Sequence, residues 1–72
     1  MTRKDFEKIA GVLSGSWHLA PNGDAAKTVW LTTLSMADVL AQSNPRFDRD
    51  RFYVAVFGVD MWEAKKIAYG WA

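Results

Sequence analysis

The chain has 72 residues, of which 50% are hydrophobic and 14% aromatic, and its nine basic and eight acidic side chains give a formal charge of +1. This length suffices for one small domain, over residues 1–72, with a correspondingly small core. The sequence has no cysteine and one histidine, which excludes disulfides and thiolate metal sites and leaves no zinc ligand set. We therefore expect no metal and no cofactor.

The first helix is predicted over residues 2–14. Thr2 and Asp5 have the spacing of a capping box, and Phe6, Ile9 and Leu13 share one helical face. Gly15 is a typical helix stop.

The segment 15–23 is predicted as a loop, because Pro21 and the Asn-Gly pair that follows it favour a turn. Its apolar residues Trp17 and Leu19 are expected to fold back over the core edge. His18 is interpreted as a partly exposed loop histidine rather than a pH switch or a ligand.

A second helix is predicted over residues 24–43, capped by Asn22 or Asp24. Its apolar residues cover more than half of its circumference, whereas a stripe of about 100° is enough for a helix that lies on one core. The helix is therefore expected to pack on two sides. The residues left over on one flank are predicted to bind a partner, and they are Trp30, Leu34, Ala37 and Ala41. In the alternative, Trp17, Trp62 and Trp71 close over this flank within the same chain.

The third element is predicted over residues 48–57, after Asn44 and Pro45 end the second helix. With Asp48 as N-cap, Phe47 and Phe52 have the spacing of a hydrophobic staple. These three residues are assigned structural roles. The apolar run that follows favours a short buried helix, although it also suits a buried strand.

A short fourth helix is predicted over residues 60–70, beginning at Asp60 and Glu63 and ending at Gly70. The fold class is therefore all-α, a small bundle of three main helices plus a short C-terminal helix. The expected shared core comprises Phe6, Ile9, Leu13, Val29, Met36, Leu40, Phe52 and Val56.

Enzymatic chemistry is not expected, and no catalytic residue is assigned. Asp48 and Asp50 form the one acidic pair that suggests catalysis, but they diverge at a helix start, where capping and the helix dipole account for both. Ser14 and Ser16 have only His18 as a nearby base, which does not make a triad.

Two segments carry a resemblance to known sequences. The first ten residues, MTRKDFEKIA, and residues 44–52, NPRFDRDRF, resemble the start and a later block of short proteins encoded by tailed phages, chiefly phages of actinobacteria. The resemblance implies a phage origin and no particular activity. The segment 59–72 departs from it, because the similar proteins end soon after the second block.

These observations predict a non-enzymatic accessory protein that acts by protein–protein interaction, either as a homodimer or on a host protein. The ten aromatic side chains exceed what a small core needs. The alternative is a small nucleic-acid-binding protein in which Arg46, Arg49 and Arg51 contact phosphates, although the chain lacks a basic run. A structural part of the virion is a third alternative. No stretch is apolar enough to span a membrane, and no signal core begins the chain, so the host bacterial cytoplasm is the expected location.

Overall fold

The structure is a computed structural model that describes residues 2–70. Four α-helices and no strand occur within this range: α1 (Arg3–Leu19), α2 (Gly23–Ser43), α3 (Arg49–Phe57) and α4 (Met61–Tyr69). The prediction of a small all-α bundle is confirmed, and the apolar run in α3 is helical rather than extended. Since α3 and α4 have nine residues each, the bundle consists of two long and two short helices.

Three of the helices begin at a residue whose side chain acts as an N-cap. Asn22, Asp48 and Asp60 each accept a hydrogen bond from the backbone N–H three residues further on, over 2.9, 3.1 and 2.9 Å. The caps predicted at Asp48 and Asp60 are confirmed, and Asn22 rather than Asp24 caps α2. At the other end of α3, Gly58 adopts a left-handed conformation with φ of 77°, which favours glycine because it has no Cβ.

The start of α1 is stabilised by Asp5, whose Oδ2 accepts hydrogen bonds from the Thr2 backbone N–H (2.8 Å) and the Thr2 hydroxyl (3.1 Å). The backbone bond first, and then the hydroxyl bond, lower the pKa of Asp5 below its ordinary value. A lowered pKa means that the ionised form is favoured by folding. The stabilisation of folded α1 by ionised Asp5 is therefore fully present above the ordinary aspartate pKa, and it is lost as the pH falls through the lowered pKa of Asp5.

The prediction that α1 ends at Gly15 is wrong, because the helix continues to Leu19. Trp17 extends the apolar face of α1 by one turn, and its ring packs edge-on against Phe57 with centroids 4.7 Å apart. This contact offsets the helix cost of an internal glycine, about 1 kcal/mol. Leu19 is 82% exposed and does not cover the core, and His18 is exposed on the last turn of the helix rather than in a loop.

The bundle is thin and elongated, with extents of 38 × 19 × 17 Å. Its width corresponds to about two helix diameters. Phe6 of α1 lies 5.2 Å from Phe47, just before α3, and Trp17 near the end of α1 meets Phe57 at the end of α3. The helices α1 and α3 therefore run parallel, with their N-termini at the same end of the molecule.

One face of α2 forms the centre of the core. Its buried residues follow each other at alternating intervals of four and three, and they are Ala26, Trp30, Thr33, Ala37 and Leu40. Such spacing keeps one strip of a helix facing its neighbours over its whole length, and we call these five residues the α2 seam. The hydroxyl of Thr33, which is 0% exposed, donates to the carbonyl oxygen of Val29 over 2.8 Å, so its burial leaves no unpaired polar atom.

The predicted core is confirmed for Leu40, Phe52 and Val56, which are buried. Four other predicted members are partly buried and pack against this cluster, and they are Phe6, Ile9, Leu13 and Met36. The prediction is wrong for Val29, which is only partly buried, while its neighbour Trp30 belongs to the core cluster. Within residues 2–70, no helix is both long and apolar enough to cross a membrane.

Replacing Leu40 with alanine should lower the free energy of unfolding by about 2–5 kcal/mol, because the side chain is only 1% exposed. The neighbouring Val39 is 56% exposed, so Val39→Ala should change the free energy of unfolding by no more than about 0.5 kcal/mol. Urea denaturation followed by circular dichroism measures both. Equal losses for the two variants would contradict the assignment of the α2 seam.

Replacing Asp48 with alanine should cost about 0.5–2 kcal/mol of stability, because the backbone N–H of Arg51 loses its acceptor. Asparagine caps a helix nearly as well, so Asp48→Asn is the matched control and should stay close to the unmodified chain. An alanine variant as stable as the asparagine variant would show that Asp48 does not act as a cap.

Candidate functional site

The flank of α2 predicted to bind a partner is largely inside the molecule. Trp30 is 7% exposed and Ala37 is 0% exposed, while Leu34 and Ala41 are partly buried. The prediction that these residues form an open patch is therefore wrong for Trp30 and Ala37, and the excess apolar surface of α2 is used within the chain.

The helix α4 covers Trp30. The indole Nε1 donates to the carbonyl oxygen of Met61 over 3.2 Å, and the edge of the Tyr69 ring packs against the indole with centroids 5.8 Å apart. The ammonium of Lys65 lies 5.7 Å from the centre of the Trp30 ring. These contacts give α4, which is too short to be stable alone, a specific place on α2.

The alternative in which three other tryptophans close over this flank does not hold for the two that the structure describes. Trp17 packs on α3 through Phe57, and Trp62 is 65% exposed. Trp71 lies outside the described residues. Closure within the chain does occur, but it is made by Met61, Lys65 and Tyr69.

A groove of about 380 Å³ lies between α1, the α2–α3 loop and α3. We call it the N-terminal groove, because α1 and α3 both begin beside it. From α1 it is lined by Arg3, Phe6, Glu7 and Ala10. From the loop and α3 it is lined by Asn44, Arg46, Phe47, Asp48, Arg51, Phe52 and Ala55.

The base of the N-terminal groove is aromatic. The rings of Phe6 and Phe47 have centroids 5.2 Å apart, and those of Phe47 and Phe52 are 5.4 Å apart. Phe52 is buried, whereas Phe6 and Phe47 are partly exposed. The predicted hydrophobic staple between Phe47 and Phe52 is thus confirmed, and it leaves part of an aromatic surface open to solvent.

The loop geometry places Phe47 in this position. The Asn44 side chain accepts a hydrogen bond from the Arg46 backbone N–H (3.0 Å), and the Asn44 carbonyl oxygen accepts one from Phe47 (3.0 Å). Pro45 suits the second position of such a turn. The turn reverses the chain between α2 and α3 and brings Phe47 against α1.

The charged side chains of the N-terminal groove are three arginines and two acids, with a net charge of +1. Arg46 and Arg51 are exposed and form no ion pair with any residue in 2–70. Arg3 pairs with Glu7 over 3.5 Å, and the Asp48 carboxylate accepts from the α3 backbone. The two acidic side chains of the groove therefore have partners in place, and the two guanidinium groups offer their donors to solvent.

The orientation of the helices brings two positive helix ends to this region, where the carboxylates of Asp5 and Asp48 oppose them. Each helix N-terminus carries the equivalent of about half a positive charge, and α1 and α3 start at the same end of the bundle. Their first turns contribute Arg3 and Arg51 to the N-terminal groove.

Arg49 is set apart from Arg46 and Arg51. Its guanidinium is hydrogen-bonded to the Asp38 carboxylate of α2, and this bond, followed by one with Tyr53, raises the pKa of Arg49 above its ordinary value. Since both partners are exposed, the contribution to stability is small. The three arginines of the predicted phosphate-contacting set thus split into two that line the groove and one that joins α3 to α2.

The N-terminal groove brings part of residues 3–10 together with part of residues 44–55. Sequence reasoning placed Phe47, Phe52 and Asp48 correctly at the start of α3, but it missed that Arg3 and Phe6 lie across from them. No local pattern signals this contact, because the two segments are more than thirty residues apart. Within the described range, no group of three or more histidine, cysteine, aspartate or glutamate residues could hold a metal ion.

No protein-family model, curated protein or solved structure matches this chain.

Replacing Trp30 with alanine should lower the free energy of unfolding by about 3–5 kcal/mol, because the indole fills the contact between α2 and α4. Trp62 is mostly exposed, so Trp62→Ala should cost less than about 1 kcal/mol. If Trp30 were instead the anchor of a dimer, its replacement would lower the molecular mass measured by light scattering while the monomer remained stable.

Proposed function

We propose that this chain is a non-enzymatic, phage-encoded accessory protein that binds a host protein in the bacterial cytoplasm through the N-terminal groove. The observation that carries the proposal is an aromatic surface, partly open to solvent, beside two arginines that form no ion pair within residues 2–70. Aromatic residues and arginine are the types enriched at protein interfaces and at their energetic hot spots.

Large apolar side chains remain exposed on all four helices, and they are Val12, Leu19, Leu31, Val39, Val54, Trp62, Ile67 and Tyr69. A host protein is favoured over self-association, because the α2 flank that suggested a dimer is largely buried. Self-association is the alternative that the experiment below also detects.

Nucleic-acid binding is the second candidate. Arg46 and Arg51 are available for phosphate contacts, and partly exposed phenylalanine rings could stack on bases. The pairing of Arg49 with Asp38 and the formal charge of only +1 weigh against it.

Site-specific photo-crosslinking in the host tests the proposal. A photoreactive phenylalanine analogue at Ala55, which is exposed on the groove wall, should give a protease-sensitive adduct with a host protein. The control position is Val12, which is 72% exposed and lies on the opposite face of α1 from the groove residues.

Each outcome of the crosslinking discriminates. An adduct at Ala55 that is absent at Val12 supports a protein-binding groove. An adduct of twice the chain mass would indicate self-association, and a nuclease-sensitive adduct would indicate nucleic acid. Equal labelling from both positions, or none from Ala55, would contradict the proposal.

A further inference from the structure

We infer that the N-terminal groove takes an acidic peptide segment that presents one aromatic or aliphatic side chain to the phenylalanine cluster. The inference rests on the proposed function and adds the chemistry of the partner. It follows from three features of the groove: its size, its aromatic base and the charge of its rim.

The size and the base together indicate a side-chain anchor. A volume of about 380 Å³ is near the lower end for ligand pockets, so it has room for one or two side chains and the backbone between them. Phe6, Phe47 and Phe52 are spaced for tilted aromatic packing, and another aromatic or aliphatic group adds favourably to such a cluster. A segment of a partner, rather than a folded domain, has the dimensions of this groove.

The rim selects for carboxylates on either side of that anchor. Arg46 and Arg51 are free of ion pairs within residues 2–70, and a guanidinium presents donors in a fork that matches a carboxylate. Glu7 and Asp48 do not cancel this charge fully, since Glu7 pairs with Arg3 and Asp48 caps α3. A basic segment would meet like charges here.

A second copy of this chain does carry aromatic residues between acidic ones, at residues 5–7 and 60–63. Both stretches lie at the start of a helix and not in an extended segment. The chain's closest acidic residues are Asp5 with Glu7, Asp48 with Asp50 and Asp60 with Glu63. Each pair lies at the start of a helix, and Asp5, Asp48 and Asp60 are engaged in capping. The partner is therefore a different protein.

Nucleic acid has the charge for this groove but not the distribution. Phosphates lie along a continuous backbone and call for a basic track. In this chain Arg49, which lies between the two rim arginines in sequence, is bound to Asp38. Arg3, which lines the same groove, pairs with Glu7. A peptide with carboxylates on either side of one apolar side chain matches the two arginines and the phenylalanine cluster of the groove more closely than a nucleic acid does.

Selection from a displayed library of random peptides on the immobilised full chain tests the inference. We expect the enriched peptides to share one phenylalanine, tryptophan or leucine flanked by aspartate or glutamate. A synthetic consensus peptide should bind the Arg46→Ala/Arg51→Ala variant roughly tenfold more weakly, as the loss of two charge-assisted contacts implies.

The matched control removes two positive charges elsewhere. Lys8 and Lys66 are exposed and lie outside the groove, so Lys8→Ala/Lys66→Ala should keep the affinity. Because all four side chains are exposed, circular dichroism should show every variant folded. Binding of the consensus peptide should also weaken as salt is raised from about 50 to 500 mM, which shortens the Debye length severalfold.

Three results would overturn the inference. The first is an enriched consensus without acidic residues. The second is an equal loss of affinity in the Arg46→Ala/Arg51→Ala variant and in the Lys8→Ala/Lys66→Ala control. The third is a single-stranded oligonucleotide that binds more tightly than any peptide and binds the Arg46→Ala/Arg51→Ala variant more weakly. An apolar, uncharged consensus that still competes at the groove would refute the partner's chemistry alone. The crosslink from Ala55 to a host protein would then still support the proposed function.

Discussion

The buried seam of α2 is the constraint on which the rest of the structure depends. A bundle only about two helix diameters thick has little interior, so its helices must approach closely to exclude water. The α2 seam permits this because it alternates small residues, Ala26 and Ala37, with the large side chains of Trp30 and Leu40. Ala64 and Ala68 of α4, both 0% exposed, provide matching close contact. The polar member, Thr33, is accommodated because its hydroxyl bonds to its own helix.

Burial of Trp30 by α4 decides how the remaining surface is used. A helix of nine residues has little stability of its own, and α4 is held by one hydrogen bond to the indole and by aromatic and ammonium contacts around it. The ammonium of Lys27 over Tyr69 adds a second link from α2. With this side of α2 occupied, the apolar surface that suggested a dimer serves folding, and partly open aromatic surface appears instead at the N-terminal groove.

The N-terminal groove results from the same packing. Because α1 and α3 run parallel, their N-termini and first-turn arginines lie together, whereas antiparallel helices would have placed one C-terminus there and offset the dipoles. The turn at Asn44 directs Phe47 toward α1, so the staple that orients α3 also forms the aromatic base. The same phenylalanine side chains therefore both orient α3 and line the groove. Arg46 and Arg51, which form no ion pair within residues 2–70, lie beside them.

Local sequence determined the helical class, the caps at Asp48 and Asp60, the staple and the end of α3, because each depends on residues within one or two turns. Tertiary structure decided the rest. The α1 end could not be read locally, since Gly15 signals a stop and only the contact of Trp17 with Phe57 outweighs it. The buried residues of α2 could not be identified locally either, because Val29 is more hydrophobic than the alanines and the threonine that are buried. The alanines are buried because they are small, and Thr33 is buried because its hydroxyl is hydrogen-bonded. Phe6 meets Phe47, and Arg3 lines the same groove as Arg46, only because α1 packs parallel to α3. That orientation is set by contacts between residues far apart in the chain.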